Sequence, residues 1–171
     1  MTATMWTAPH ARPAVAVRVV IGLAAAATAL FNVALMLSDR APGLTKRLFG
    51  DFAVRLSARL DASARFGELT DGRTPGNDAI VHIGVWAVAM TLVGLAVWRW
   101  TSLAIASLVL FVGSVFVEIG QGRYSSTRAV EMSDVLANGV GVGAGVVVCA
   151  LTYLAGSVAA AAATAARYRR H

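Results

Sequence analysis

Residues 79–119 read AIVHIGVWAVAMTLVGLAVW, then RW, then TSLAIASLVLFVGSVFVEI. Each of the two apolar runs has about the 20 residues that a helix needs to cross the hydrocarbon core of a bilayer. A chain this short has too little core to bury two such runs away from lipid. The stretch therefore predicts two membrane-spanning helices, 79–98 and 101–119, joined as a tight hairpin. We expect Trp98 and Trp100 to anchor that hairpin at the membrane interface.

Two further apolar runs flank the hairpin, at 19–37 and 135–160, and each is again long enough to span a bilayer. The first run exceeds the roughly 7–15 residues of a secretory signal core and lacks a small-x-small cleavage site, which favours a retained helix. Hydrophobic residues make up 57% of the 171-residue chain, whereas soluble domains have about 45–50%. The sequence therefore predicts an all-α polytopic membrane bundle of four spans.

The segment 38–77 differs from the spans because it carries charges of both signs. Its large apolar residues recur every four positions: Leu44, Leu48, Phe52, Leu56 and Leu60. This period favours an amphipathic helix lying on the membrane or against the bundle, and a solvated helix that packs on nothing is the alternative. Residues 1–18 precede the first span as an N-terminal arm, and 164–171 follow the last span as a basic tail.

The net charge of +6 comes from basic residues that stand beside apolar runs. They are not interleaved with aromatic residues, so we expect contacts with lipid headgroups and no nucleic-acid partner. With four spans, Arg12, Arg18, Arg99 and the C-terminal arginines lie on one side of the membrane, which predicts cytoplasmic termini in a cell membrane. The seven Lys and Arg of segment 38–77 count against this orientation.

Polar side chains stand at one end of three successive spans. They form three pairs, each three or four residues apart on one helix face: Asp78 with His82, Glu118 with Gln121, and Asp134 with Asn138. The start of one span, the end of the next and the start of the third lie on the same membrane side, so the pairs can converge. Ionisable residues within a membrane cost about 2.5–3.5 kcal/mol each on insertion scales. We therefore expect a polar site here, with Arg123 and Arg128 adding positive charge from the adjoining loop.

This pattern resembles the VanZ-like family of membrane proteins. Its members have Asp-x-x-x-His at the start of one span, Glu-x-x-Gln at the end of the next, a loop arginine, and Asp-x-x-x-Asn followed by glycine. The matching positions here are Asp78, His82, Glu118, Gln121, Arg128, Asp134, Asn138 and Gly141. The resemblance covers about residues 78–146, within a VanZ-like core that we delimit as 78–163. It implies a cell-envelope protein, since the family is named for a protein associated with teicoplanin resistance, but it implies no reaction.

One role for this site is the binding of an anionic headgroup. Arg123 and Arg128 would clamp a phosphate or carboxylate, because arginine can bind such groups through two parallel hydrogen bonds. Glu118 and Asp134 would then hold these arginines or accept hydrogen bonds from hydroxyl groups. The partners expected under this hypothesis are a membrane lipid or a lipid-linked cell-wall intermediate at the outer leaflet.

Two other roles stay open. His82, Glu118 and Asp134 are the candidate catalytic residues of an intramembrane hydrolase or transferase, as a proton-transfer set or as ligands to a divalent metal. Because the chain offers one histidine there and no paired ligand motif, we assign no metal and no cofactor. The third role is structural, with Asn138 and Gln121 bonding between helices in an accessory subunit of an envelope complex. Its partner would be another membrane protein or a second copy of the chain.

Small residues follow the polar pair of the fourth span. Gly141 and Gly145 form a Gly-x-x-x-Gly pair in helical phase with Asn138, and Gly139 and Gly143 form a second pair. Such pairs let two helix backbones approach closely in lipid. We expect the fourth span to cross a neighbouring helix tightly at Gly141 and Gly145.

Overall fold

The computed structural model of the chain describes residues 12–36, 55, 77–124 and 132–169. Its helices there are α1 (Val15–Met36), α2 (Asn77–Val97), α3 (Trp100–Tyr124) and α4 (Met132–Tyr168). All four are long and apolar enough to cross a membrane. The predicted all-α bundle of four spans is therefore confirmed, and the composition of these helices supports a multi-pass membrane protein. The predicted amphipathic helix falls on residues 38–76, of which only Arg55 is described.

Helix α1 begins four residues before the predicted span and takes in Arg18. The guanidinium group of Arg18 donates hydrogen bonds to the carbonyl oxygens of Ala96, at 2.8 Å, and Val97, at 3.3 Å. These carbonyls belong to the last turn of α2, where intrahelical donors are missing and the helix dipole favours a cation. The contact stabilises the end of α2 and shows that α1 runs antiparallel to it.

Helix α4 continues to Tyr168, beyond the predicted end at residue 160. The sequence between these points is mostly alanine, the residue with the highest helix propensity, so the helical conformation continues through it. Its 37 residues give a length of about 55 Å, compared with a hydrocarbon core of about 30 Å. The first part of the predicted basic tail, 164–168, is thus an extension of the fourth helix.

The connection between α2 and α3 is as short as predicted, but one tryptophan behaves differently. Trp98 has a φ of 45°, a left-handed conformation that glycine usually supplies at a helix end. Its ring is only 6% exposed and packs on Tyr153 with the ring centroids 4.6 Å apart. The hydroxyl of Tyr153 donates to the carbonyl of Gly94. The prediction of an interfacial anchor is wrong for Trp98, since its ring is buried within the bundle.

Helices α2 and α4 run parallel, and this contact forms the core of the bundle. Asn138, Gly141, Gly145 and Cys149 stand three or four residues apart, so they share the face of α4 that meets α2. A methyl group placed on Gly141 would lie 2.5 Å from the carbonyl oxygen of Ile83, and one on Gly145 would lie 2.8 Å from that of Ala87. These distances are too short for a side chain, so the two helices approach to within backbone contact, as the glycine spacing predicts.

The second glycine pair makes no comparable crossing. A methyl group on Gly139 would lie 3.2 Å from the ring of Phe111 on α3, and one on Gly143 would meet nothing within 4 Å. Gly143 faces outward together with large apolar side chains of the bundle surface: Leu108, Phe116, Val147 and Leu151. An apolar exterior of this kind suits a lipid environment.

Candidate functional site

The polar pairs of α2, α3 and α4 lie at the same end of the bundle. His82 stands in the second turn of α2, Glu118 two turns before the end of α3, and Asp134 and Asn138 in the first turns of α4. Because α3 runs antiparallel to the other two helices, these positions come to a similar depth. The structure brings the four side chains together into one cluster, which we call the polar site.

A chain of hydrogen bonds links three helices within the polar site. Nδ1 of His82 lies 2.9 Å from Oδ1 of Asn138, and Nδ2 of Asn138 donates to Oε1 of Glu118 at 3.3 Å. The same Glu118 oxygen is 3.4 Å from Nδ1 of His82. All three side chains are buried.

This arrangement fixes the tautomer of the neutral histidine. Both atoms that face Nδ1 of His82, Oδ1 of Asn138 and Oε1 of Glu118, are acceptors. Nδ1 must therefore carry the proton and donate it, and Nε2 presents its lone pair on the other side of the ring. Asn138 sets this orientation because its amide nitrogen is already directed at Glu118.

Asp134 forms the accessible rim of the polar site. Its side chain is 19% exposed, and Oδ2 lies 4.0 Å from Nε2 of His82. One ligand atom each from His82, Glu118 and Asp134 can be chosen so that all three lie within 4.8 Å of one another. A ligand entering from the membrane surface would thus meet Asp134 first and the buried His82 and Glu118 behind it.

The other predicted site residues differ in their burial and in whether the structure describes them. Gln121 is buried, three residues from Glu118 on the same face of α3. Arg123 is exposed in the last turn of α3 and does not join the buried cluster. The side chain of Asp78 and the whole of Arg128 lie outside the described residues.

Asn32 is a buried polar residue that the sequence analysis missed. It is 3% exposed on α1, and its Nδ2 has no hydrogen-bond partner among the residues described. From the contact between Arg18 and Ala96, the antiparallel course of α1 brings Asn32 to about the level of His82 along the bundle. The sequence does carry a signal for this residue, because Asn32 is the single asparagine within the apolar run 19–37.

The polar site is rich in hydrogen-bond acceptors and carboxylates. Burial makes an unpaired charge expensive, and the donors of His82 and Asn138 contribute to stabilising a carboxylate at Glu118. Two carboxylates beside an imidazole lone pair can accept hydrogen bonds from hydroxyl or ammonium groups, or bind a cation. They can also exchange a proton with His82.

No protein-family model, curated protein or solved structure matches the chain.

Proposed function

We propose that the chain is a VanZ-like integral membrane protein of the cell envelope whose polar site binds an anionic or lipid-linked headgroup. The supporting observation is that polar side chains from α2, α3 and α4 meet at one end of an otherwise apolar bundle. Ionisable residues at such a position are costly and mark functional sites in membrane proteins. A headgroup reaches this depth without its acyl chains leaving the bilayer, and Asp134 is the part of the site that it meets first.

The chemistry of the site favours a headgroup with two kinds of polar group. Glu118 and Asp134 accept hydrogen bonds from hydroxyls, whereas a phosphate needs arginine. Arg123 is exposed on the last turn of α3, about 7.5 Å along the helix axis from Glu118, and Arg128 follows five residues later in the sequence. A lipid-linked cell-wall intermediate, with phosphate beside sugar hydroxyls, would use both sets of side chains.

We place the polar site on the extracytoplasmic side of a cell membrane. Arg12, Arg18, Arg99, Arg167 and Arg169 lie at the opposite end of the bundle, at the start of α1, between α2 and α3, and at the end of α4. Arginines in termini and short loops favour the cytoplasmic side. Both termini would then be cytoplasmic.

Native mass spectrometry of the detergent-purified protein tests the headgroup proposal. We expect wild type to carry a phosphorylated lipid, and Arg123→Gln or Arg128→Gln to retain at least about tenfold less of it. This factor corresponds to a charged hydrogen bond of about 1.5–3 kcal/mol. Arg12→Gln is the matched control, since it removes an exposed arginine at the other end of the bundle and should leave the adduct unchanged. Wild type without a lipid, or equal retention by all variants, would refute the proposal.

A structural role is the second candidate, and the buried hydrogen-bond chain favours it. His82, Asn138 and Glu118 bond directly to one another across three helices, as expected of contacts that hold the bundle together. The protein would then serve as an accessory subunit of an envelope complex. This candidate requires that purified wild type carries no ligand.

A further inference from the structure

The gap between His82 and Asp134 has the dimensions of a cation site. Nε2 of His82 presents a lone pair towards Oδ2 of Asp134, 4.0 Å away. The hydrogen bond between the buried His82 and Asn138 uses Nδ1, so Nε2 is the ring nitrogen that faces Asp134. A cation lying between these two atoms would attract both of them.

Metal–ligand bond lengths set how far apart two ligand atoms of one ion can lie. Bonds of about 2.1 Å from a metal ion to nitrogen and oxygen place two ligand atoms about 3–4.2 Å apart. The observed 4.0 Å falls within the range for two ligands of one metal ion.

We propose that His82, Glu118 and Asp134 bind a divalent metal cation of the Mn²⁺ or Zn²⁺ type. Each residue supplies one ligand atom, and the three atoms lie within 4.8 Å of one another, so any pair more than about 4.2 Å apart must close slightly when the ion binds. A mixed set of imidazole and carboxylates selects these ions over Ca²⁺, which takes oxygen ligands only. The cation also neutralises two carboxylates that are costly at this depth. The sequence predicts no metal because it offers one histidine here and no paired ligand motif, whereas the fold brings three possible ligands together from three helices.

Asn138 positions the proposed ligands. Its Oδ1 accepts a hydrogen bond from Nδ1 of His82, and this bond orients the ring so that the lone pair of Nε2 faces Asp134. Its Nδ2 donates to the Glu118 carboxylate. Metal-binding histidines usually donate their other ring proton to such a partner, and loss of the partner lowers metal affinity about 10- to 100-fold. The hydrogen bonds of Asn138 are those that a metal site at His82 and Glu118 requires.

The cation inference concerns the same site as the proposed function but does not depend on a headgroup. If both hold, the cation would bind a headgroup phosphate directly, which explains how an anion can approach two carboxylates. A headgroup carrying only hydroxyls would bind without the cation. The two proposals therefore have separate tests.

Titration of the chelator-treated, full-length protein with Mn²⁺, followed by electron paramagnetic resonance, tests the cation site. We expect one bound Mn²⁺ per chain, displaced by Zn²⁺. His82→Gln and Asp134→Asn should each weaken binding by more than the about 10- to 100-fold expected for loss of an orienting partner such as Asn138. Ser114→Ala is the matched control, because Ser114 is buried one turn from Glu118 and its hydroxyl donates to the carbonyl of Phe111 on its own helix.

Binding that is lost in both variants and kept in Ser114→Ala supports the site. Absence of Mn²⁺ and Zn²⁺ binding by wild type, or equal binding by the variants, overturns it. Asp134 lies at the rim, so Asp134→Asn is the variant expected to fold normally, and its thermal unfolding reports this directly. A lipid adduct on a wild type that binds no cation would overturn only the cation site, and a bound cation without any lipid would overturn only the headgroup proposal.

Discussion

Replacing Gly141 with alanine is expected to lower the free energy of unfolding by about 3 kcal/mol. The added methyl group would lie 2.5 Å from the carbonyl oxygen and 3.1 Å from the carbonyl carbon of Ile83. Overpacking of a core costs about 1–3 kcal/mol, and the upper end applies here because a backbone carbonyl cannot rotate away as a side chain can. Helix α4 must therefore move away from α2. Thermal unfolding in detergent, followed by tryptophan fluorescence, measures the change.

Gly143→Ala provides the matched control for this prediction. It makes the same substitution on the same helix, but its methyl group meets nothing within 4 Å. Alanine also has a higher helix propensity than glycine, by up to about 1 kcal/mol, so the stability should stay equal or rise slightly. Equal losses at Gly141 and Gly143 would contradict the parallel packing of α2 on α4.

Replacing Asn138 with alanine is expected to lower the free energy of unfolding by about 2 kcal/mol and to weaken any ligand binding. The substitution removes both hydrogen bonds that join α4 to His82 and Glu118. Hydrogen bonds between membrane helices contribute about 0.6–2 kcal/mol each, and the buried Glu118 carboxylate also loses a donor. Thermal unfolding gives the stability change, and Mn²⁺ titration gives the change in affinity.

Ser114→Ala again serves as the control for Asn138→Ala. It also removes a buried hydrogen-bonding group, but the hydroxyl of Ser114 bonds within its own helix. Little loss is expected there, because no contact between helices is broken. If both substitutions were equally mild, the hydrogen-bond chain through Asn138 would not join the three helices.

Hydropathy alone predicts the four helices, because a chain of this length has too little core to bury four such spans away from lipid. The ends of the helices are less predictable. The sequence predicts that Arg18 belongs to the N-terminal arm, because it is charged. In the structure Arg18 lies within α1, where its guanidinium donates hydrogen bonds to carbonyl oxygens of α2. The end of α4 lies beyond residue 160 because alanine propagates a helix even where the lipid-spanning length has been exceeded.

The depth of the polar site is also predictable, since spacing and connectivity place His82, Glu118 and Asn138 on one side of the membrane. Which atoms contact each other is not, because it depends on how α2 and α4 pack. Their register brings His82 to Asn138 and Gly94 to Tyr153. Nothing in the sequence marks the last contact, which couples residues 59 positions apart. The close helix crossing at Gly141 and Gly145 is predictable from the sequence, because close backbone packing requires small residues.

We propose that the polar site binds a ligand, in addition to joining three helices. Native mass spectrometry and thermal unfolding of Asp134→Ala test it together. Asp134 is the partly exposed member of the site, and a carboxylate near the N-terminus of α4 gains about 0.3–1 kcal/mol from the helix dipole. We predict that Asp134→Ala loses the lipid adduct of wild type while its unfolding temperature falls only slightly. A wild type without an adduct, together with a large loss of stability in Asp134→Ala, would contradict the claim and leave the structural role.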